Sequence, residues 1–290
     1  MNAVIHAVAV AVACASLALA PRERADGKRA PMIEPDRIAQ RLSDKNPEVR
    51  RRVLTGFLGR SVVDPKYRPV LWRAFRDDDR QVRQLAAMAL ATSGLNDKPI
   101  LDDLVAMLDT EAGRRCGSAV TVLAGMGAGA KDAVPGLIRA MKKYKDSNLT
   151  FALGRLAPYA KEQALPALKE ALDDRNMAIV AALELHNLKV PADEMVPILL
   201  RMFDRCKDEH IDPYRIAYVI AIYSDKIAVP GLIRALEHSN LAVRPAVVWA
   251  LCRVGGDDKD VIPALTRALE DKSTAEEAAR SLQMLKDARK

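Results

Sequence analysis

The 290-residue sequence predicts an all-α solenoid of about eight stacked helix pairs, and three observations predict it. Half of the residues are hydrophobic but only 4% are aromatic. Leucine and alanine dominate the remainder, which favours helix, and the shortage of aromatics disfavours an aromatic-rich β-sandwich or a base-stacking platform. A proline-led phrase returns at a near-constant interval, as in VPGLIRAM around Pro135 and VPGLIRAL around Pro230. A helix-capping residue type recurs ten residues after that proline, at a position independent of the alignment.

Before the array comes an uncharged apolar run, AVIHAVAVAVACASLALA, and then the basic PRERADGKR. Residues 1–20 are expected to be a signal peptide or membrane anchor. The run lies between a signal-peptide core and a membrane span in length, and Ala18 with Ala20 offers a small-residue cleavage pattern. This favours an exported or membrane-tethered protein on the periplasmic side, with a cytoplasmic body as the alternative. Residues 21–34 read as a polar linker, and 35–290 as the array.

The repeat anchors are Asp36, Pro69, Asp102, Pro135, Pro166, Pro197, Pro230 and Pro263, separated by 33, 33, 33, 31, 31, 33 and 33 residues. A period of this size denotes stacked supersecondary units. Each unit opens with an amphipathic stretch whose proline is expected near the helix start, where a missing N–H costs least. The expected caps are Asn46, Asp79, Asn176, Asn240 and Ser273. A second amphipathic stretch follows each, for example EVRRRVLTGFL and AVRPAVVWALCRVGG, with Gly59, Gly94 and Gly255 expected as C′ residues. No single unit can bury its apolar face alone, so neighbours share a core. The shortened period around Pro135 and Pro166 marks the expected place for altered curvature, and TAEEAARSLQMLKDARK is the expected terminal cap.

Several positions within a unit repeat together. Asp44 is followed by Val49-Arg50; Pro69 by Asp77 and Val82-Arg83; Pro166 by Asp174; Pro230 by Val243-Arg244, with His238 in place of the aspartate; Pro263 by Asp271. This pattern resembles the HEAT-repeat family, in its short bacterial form found in PBS-lyase HEAT-like proteins, over residues 35–290. The resemblance implies a right-handed α-solenoid. It also implies that the turn aspartates and the arginines Arg50, Arg83 and Arg244 form a ladder between repeats, a structural role.

Chemistry is sparse. The histidines, His6, His186, His210 and His238, are scattered, and the cysteines, Cys14, Cys116, Cys206 and Cys252, contain no CxxC pair. No metal site, zinc site or disulfide framework is expected, and the cysteines of the array read as buried thiols. The HEAT-like hydroxylases that bind two irons carry repeated His-Glu pairs; this chain has only Glu209-His210 and Glu237-His238, in the reverse order. GMGAGAK at 125–131 lacks the phosphate-loop order and is expected to join two helices. No cofactor and no catalytic residue is assigned.

The expected function is a non-catalytic scaffold that binds a protein partner along its concave face. The alternatives are a HEAT-like enzyme of bilin-lyase or DNA-repair type, or a basic binder of anionic ligands. Residues 21–60 hold a net +5 of the chain's +7, and Arg50, Arg51 and Arg52 are consecutive. One arginine can enter the ladder; residues 100° apart on a helix leave Arg51 or Arg52 facing outward, toward an acidic partner or anionic lipid headgroups beside the N-terminal segment. The candidate protein-binding residues are Arg51, Arg52, Gln84, Arg215, Trp249 and Arg253, all on second helices at non-core spacing. Nucleic acid is not expected as a ligand, and the chain is expected to be monomeric.

Overall fold

Prolines near helix starts and apolar residues at three- and four-residue spacing should give short paired helices, and the computed structural model has them. It describes residues 34–58, 63–91, 98–108, 117–223, 226–255 and 259–288. The proposed leader, nearly all of the linker, Gly59, Gly94, Cys14 and Cys116 lie outside these residues.

In chain order the helices are α1 (Pro35–Leu42), α2 (Pro47–Thr55), α3 (Arg68–Ala74), α4 (Arg80–Ala91), α5 (Lys98–Leu108), α6 (Ser118–Met126), α7 (Val134–Tyr144) and α8 (Ser147–Leu156). They continue with α9 (Lys161–Glu170), α10 (Ala178–Asn187), α11 (Ala192–Glu209), α12 (Pro213–Tyr223), α13 (Val229–Ala235), α14 (Val243–Val254), α15 (Val261–Ala268) and α16 (Ala275–Ala288). Odd helices are the first members of the eight predicted units and even helices the second. The described residues form no strand, so the all-α class and its pairing stand.

The chain divides into two compact units, Met1–Tyr144 with Arg155–Ala164, and Lys145–Gly154 with Leu165–Lys290. In the first, α2, α4 and α6 pack in succession, with α1, α3 and α5 beside them. Leu54, Phe57, Leu71, Phe75, Leu90, Leu104 and Leu123 are buried there. In the second, α10, α12, α14 and α16 form a continuous layer, backed by α11, α13 and α15. Phe203, Ile216, Ile220, Leu232, Val247, Leu251 and Leu265 are its buried residues. On α16, Ala278, Ser281 and Leu285 face inward while Glu276 pairs with Arg280 and Gln283 with Asp287 at the surface.

Three details differ from the sequence reading. The first unit has its own proline: Pro35, one residue before the expected anchor Asp36, opens α1. Pro166 and Pro197 lie inside α9 and α11, which begin five residues before them. Pro69, Pro135 and Pro230 are instead preceded by 3-10 turns at 65–67, 127–133 and 226–228. A proline past the first turn gives up one i→i−4 hydrogen bond and crowds the carbonyl four residues back, so α9 and α11 carry that cost, while a 3-10 turn before Pro69, Pro135 and Pro230 avoids it. GMGAGAK joins two helices as expected, part of it forming the 3-10 connection 127–133 between α6 and α7. Gly255 follows α14 with φ −121°, so it does not use the left-handed freedom expected of a C′ glycine.

Cys206 and Cys252 are free and buried. Burial pushes the Cys206 thiol up to about 12, which keeps it protonated and unreactive. Among the described residues no helix is long and apolar enough to cross a membrane.

Candidate protein-binding surface

The turns between paired helices repeat one hydrogen bond. Eight residues after the anchor, an aspartate side chain accepts the N–H of the residue two further on. Asp44 serves Asn46 (2.8 Å), Asp77 serves Asp79 (2.8 Å), Asp174 serves Asn176 (2.9 Å) and Asp271 serves Ser273 (2.8 Å). This Asx turn positions the second helix. Asn46 and Asp79 then cap α2 and α4 through Glu48 N and Val82 N, and Asn240 accepts from Ala242 N ahead of α14. Asn176 and Ser273 do not cap as expected. Asn176 holds no first-turn N–H of α10, and Ser273 donates its hydroxyl to Asp271 Oδ1 at 2.8 Å.

His238 replaces the aspartate without losing the bond. Its Nδ1 accepts the N–H of Asn240 at 3.0 Å, and its Nε2 faces Asp204 Oδ1 at 3.1 Å. A backbone N–H only donates, so the Nδ1 lone pair is in use and the ring proton sits on Nε2, directed at the carboxylate.

Arginines tie each turn to the next. Arg50 donates to its own turn at Asp44 O (2.7 Å) and to Asp77 of the following unit at 2.8 Å. Arg244 repeats this with His238 O (2.7 Å) and Asp271 (2.6 Å). Arg83 holds its own turn through Asp77 O and Asp78 O. Where the motif is eroded other cations substitute: Lys145 meets Asp174 at 3.1 Å, and Arg205 reaches back to Leu172 O and Asp173 O. Hydrogen bonds from Ser273 N and its hydroxyl, then from Arg244, hold the Asp271 carboxyl below its ordinary range.

Of the six candidate contact residues, Arg51 belongs to the ladder. Its Nε and Nη2 grip both oxygens of Asp79 at 3.1 and 2.7 Å, and its Nη1 meets Glu48 at 2.8 Å. Consecutive arginines on α2 thus take Asp77 and Asp79 of the next turn. The Asp79 carboxyl is held well below the usual range, first by Arg51 and then by the Val82 N–H. Arg52 is exposed on α2, as Gln84 is on α4 and Arg215 on α12. Trp249 is half-buried on α14, with the exposed Arg253 guanidinium 5.3 Å from its ring centroid, one helical turn on. The structure therefore places Trp249 and Arg253 together and Arg215 on the adjoining helix of the same unit.

Sequence reading missed the exposed aromatics Tyr218 on α12 and Phe151 on α8, 38% and 39% accessible. Helical phase points to Tyr218: Arg215, Tyr218 and Ile222 follow i, i+3, i+7, off the buried stripe of Ile216, Val219 and Ile220. Trp72 lies on a first helix, stacked on Phe75 at 5.0 Å. His186 packs edge-on to Tyr223 at 4.8 Å, and burial, followed by the charge of Lys189, lowers its pKa. Among the described residues no group of three or more His, Cys, Asp or Glu is placed to hold a metal ion.

A family model for HEAT repeats matches residues 35–124 and 196–286, and one for the PBS lyase HEAT-like repeat matches residues 147–174. No curated protein matches the chain. Among solved structures the chain is similar to human deoxyhypusine hydroxylase in complex with glycerol, at 20% identity and a TM-score of 0.36, over 88% of this chain and 96% of that one. It is also similar to an engineered protein, at 17% identity and a TM-score of 0.40, over 88% of this chain and 79% of that one. With the matched residues covering most of its length, the chain belongs to the HEAT-repeat family.

Proposed function

We propose that this chain is a non-catalytic repeat scaffold that holds a protein partner on the exposed face of its second helices. The observation that carries the reading is the pairing of a partly exposed tryptophan with unconsumed arginines on neighbouring rigid helices. Arg253, whose guanidinium lies 5.3 Å from the Trp249 ring centroid on α14, and Arg215 on α12 enter no ion pair among the described residues, whereas the ladder arginines are bound within the fold. Tryptophan and arginine are the side chains that most often dominate protein interfaces. Because the helices already fix these groups, little ordering accompanies association. Arg52 and Gln84 extend the same kind of surface in the first unit.

The test is partner capture with the full chain and with an Arg215→Ala, Trp249→Ala, Arg253→Ala variant of unchanged melting temperature. Proteins recovered by the first and lost by the second are expected. An identical set of recovered proteins would overturn the assignment. From the uncharged apolar run before the array, the proposal adds an exported or membrane-tethered location, which the mass of the mature N-terminus checks.

A further inference from the structure

Three second helices of the C-terminal unit, α10, α12 and α14, are nearly free of carboxylates. Over α10, α12 and α14, and the part of α8 in that unit, the only carboxylate is Glu184, and it is buried, 5% accessible. The first helices α9 and α11 carry seven between them, among them Glu162, Glu170, Asp193 and Glu194, whereas α13 and α15 carry none and the second helix α16 carries Glu276, Glu277 and Asp287. On α10, α12 and α14 the exposed side chains thus include Arg215 and Arg253 and no carboxylate.

That face also has an apolar row. Phe151 on α8, Leu183 on α10, Tyr218 on α12 and Trp249 on α14 each occupy an exposed or half-buried position on a successive even helix. The helices are adjacent: α10 packs on α12 and α12 on α14, and α8 approaches α10 so closely that a Cβ on Gly154 would lie 2.3 Å from Glu184 Cγ. Packed helices lie about 8–10 Å apart, so the row presents one apolar side chain at about that spacing.

The spacing selects a ligand conformation. A polyproline-II chain returns to the same side every third residue, after about 9.3 Å. A β-strand returns after about 6.7 Å, which falls out of step by the second helix. The geometry points to an acidic, extended peptide segment in the polyproline-II conformation, with an apolar residue at every third position, as the ligand of the α8–α14 face. Its apolar side chains seat between and upon Leu183, Tyr218 and Trp249, and its intervening carboxylates pair with Arg215 and Arg253. Arginine suits this role because its planar fork binds a carboxylate through two donors while its face rests on an aromatic ring. The inference rests on the scaffold reading above and adds the chemistry of the bound segment.

The test uses the full chain and fluorescein-labelled twelve-residue peptides, read by anisotropy at low and moderate salt. Four repeats of Pro-Glu-Leu should bind. Four repeats of Pro-Lys-Leu should show at least a hundredfold weaker binding, and a peptide of the first composition with its leucines grouped at least tenfold weaker. Trp249→Ala should cost about tenfold, measured well below its melting temperature because the half-buried ring also contributes packing, and Arg215→Glu with Arg253→Glu about a hundredfold with the melting temperature unchanged. Equal binding of the glutamate and lysine peptides would overturn the inference, as would equal binding of the spaced and grouped ones. Tighter binding of an oligothymidylate, lost in the same variants, would overturn it in favour of nucleic acid. Failure of the spaced peptide, while a native protein is still captured through Arg215, Trp249 and Arg253, would sink this inference and leave the scaffold reading standing.

Discussion

Replacing Phe203 with alanine should destabilise the C-terminal unit by about 3–5 kcal/mol, the cost of removing a large aromatic from a closed core. Phe203 is 1% accessible on α11, the first helix of its pair, which packs on α12 and α13. The loss combines the transfer free energy of the ring with the cavity that the surrounding helices cannot fully close. Phe151, by contrast, is 39% accessible on α8, and Phe151→Ala should change stability by no more than about 0.5 kcal/mol. Urea unfolding followed by circular dichroism compares the two. Similar midpoint shifts for both variants would refute the division between core and exposed aromatics on which the binding row depends.

Gly125→Val should destabilise the N-terminal unit by about 3 kcal/mol, and Gly125→Ala by roughly 1–2. Helix propensity argues for the opposite sign, since alanine in a helix is favoured over glycine by about 1 kcal/mol. Packing wins because of what a side chain would meet. A Cβ at Gly125 on α6 would lie 2.3 Å from Ala91 Cβ on α4, 3.0 Å from its Cα and 3.1 Å from its carbonyl oxygen. Two of those three neighbours are backbone, so α4 and α6 must separate rather than a side chain turn aside. The double variant Ala91→Gly, Gly125→Ala removes the shortest contact and should regain part of the loss. Thermal melts of the three variants decide the matter, and a stabilised Gly125→Ala would show that the helices are not in close approach.

The period was readable because selection of position falls on every unit alike. A proline near the first helix, an aspartate eight residues later and an arginine six beyond that are the parts that join one turn to the next. The helix starts at Lys161 and Ala192 were not readable from the prolines. Pro166 and Pro197 fix the register of α9 and α11 but not how far each helix extends toward its N-terminus. The capping residues were misplaced at Asn176 and Ser273. The aspartate two residues earlier holds their N–H as it does at Asn46 and Asp79, but Ser273 turns its hydroxyl back onto Asp271 and Asn176 reaches no first-turn N–H.

For the binding surface, sequence spacing found Trp249 and Arg253 because i, i+4 neighbours share a helix face. It misjudged Arg51, whose partner Asp79 stands one repeat away. The signal was present in the two consecutive arginines followed, one period later, by two turn aspartates two residues apart. Tyr218 and Phe151 were passed over because an aromatic in an apolar helix reads as core until the phase of its neighbours is counted. His238 looked like a broken motif, yet an imidazole lone pair performs the acceptor role of a carboxylate oxygen.

Hydroxyl-radical footprinting of the full chain, alone and saturated with the protein it captures, tests the central claim most directly. Oxidation of Tyr218 and Trp249 on the second helices should fall several-fold on binding, while Trp72 on α3 keeps its free-state rate. Protection of Trp72 with Tyr218 and Trp249 unaffected would contradict the account, because the partner would then lie on the first helices.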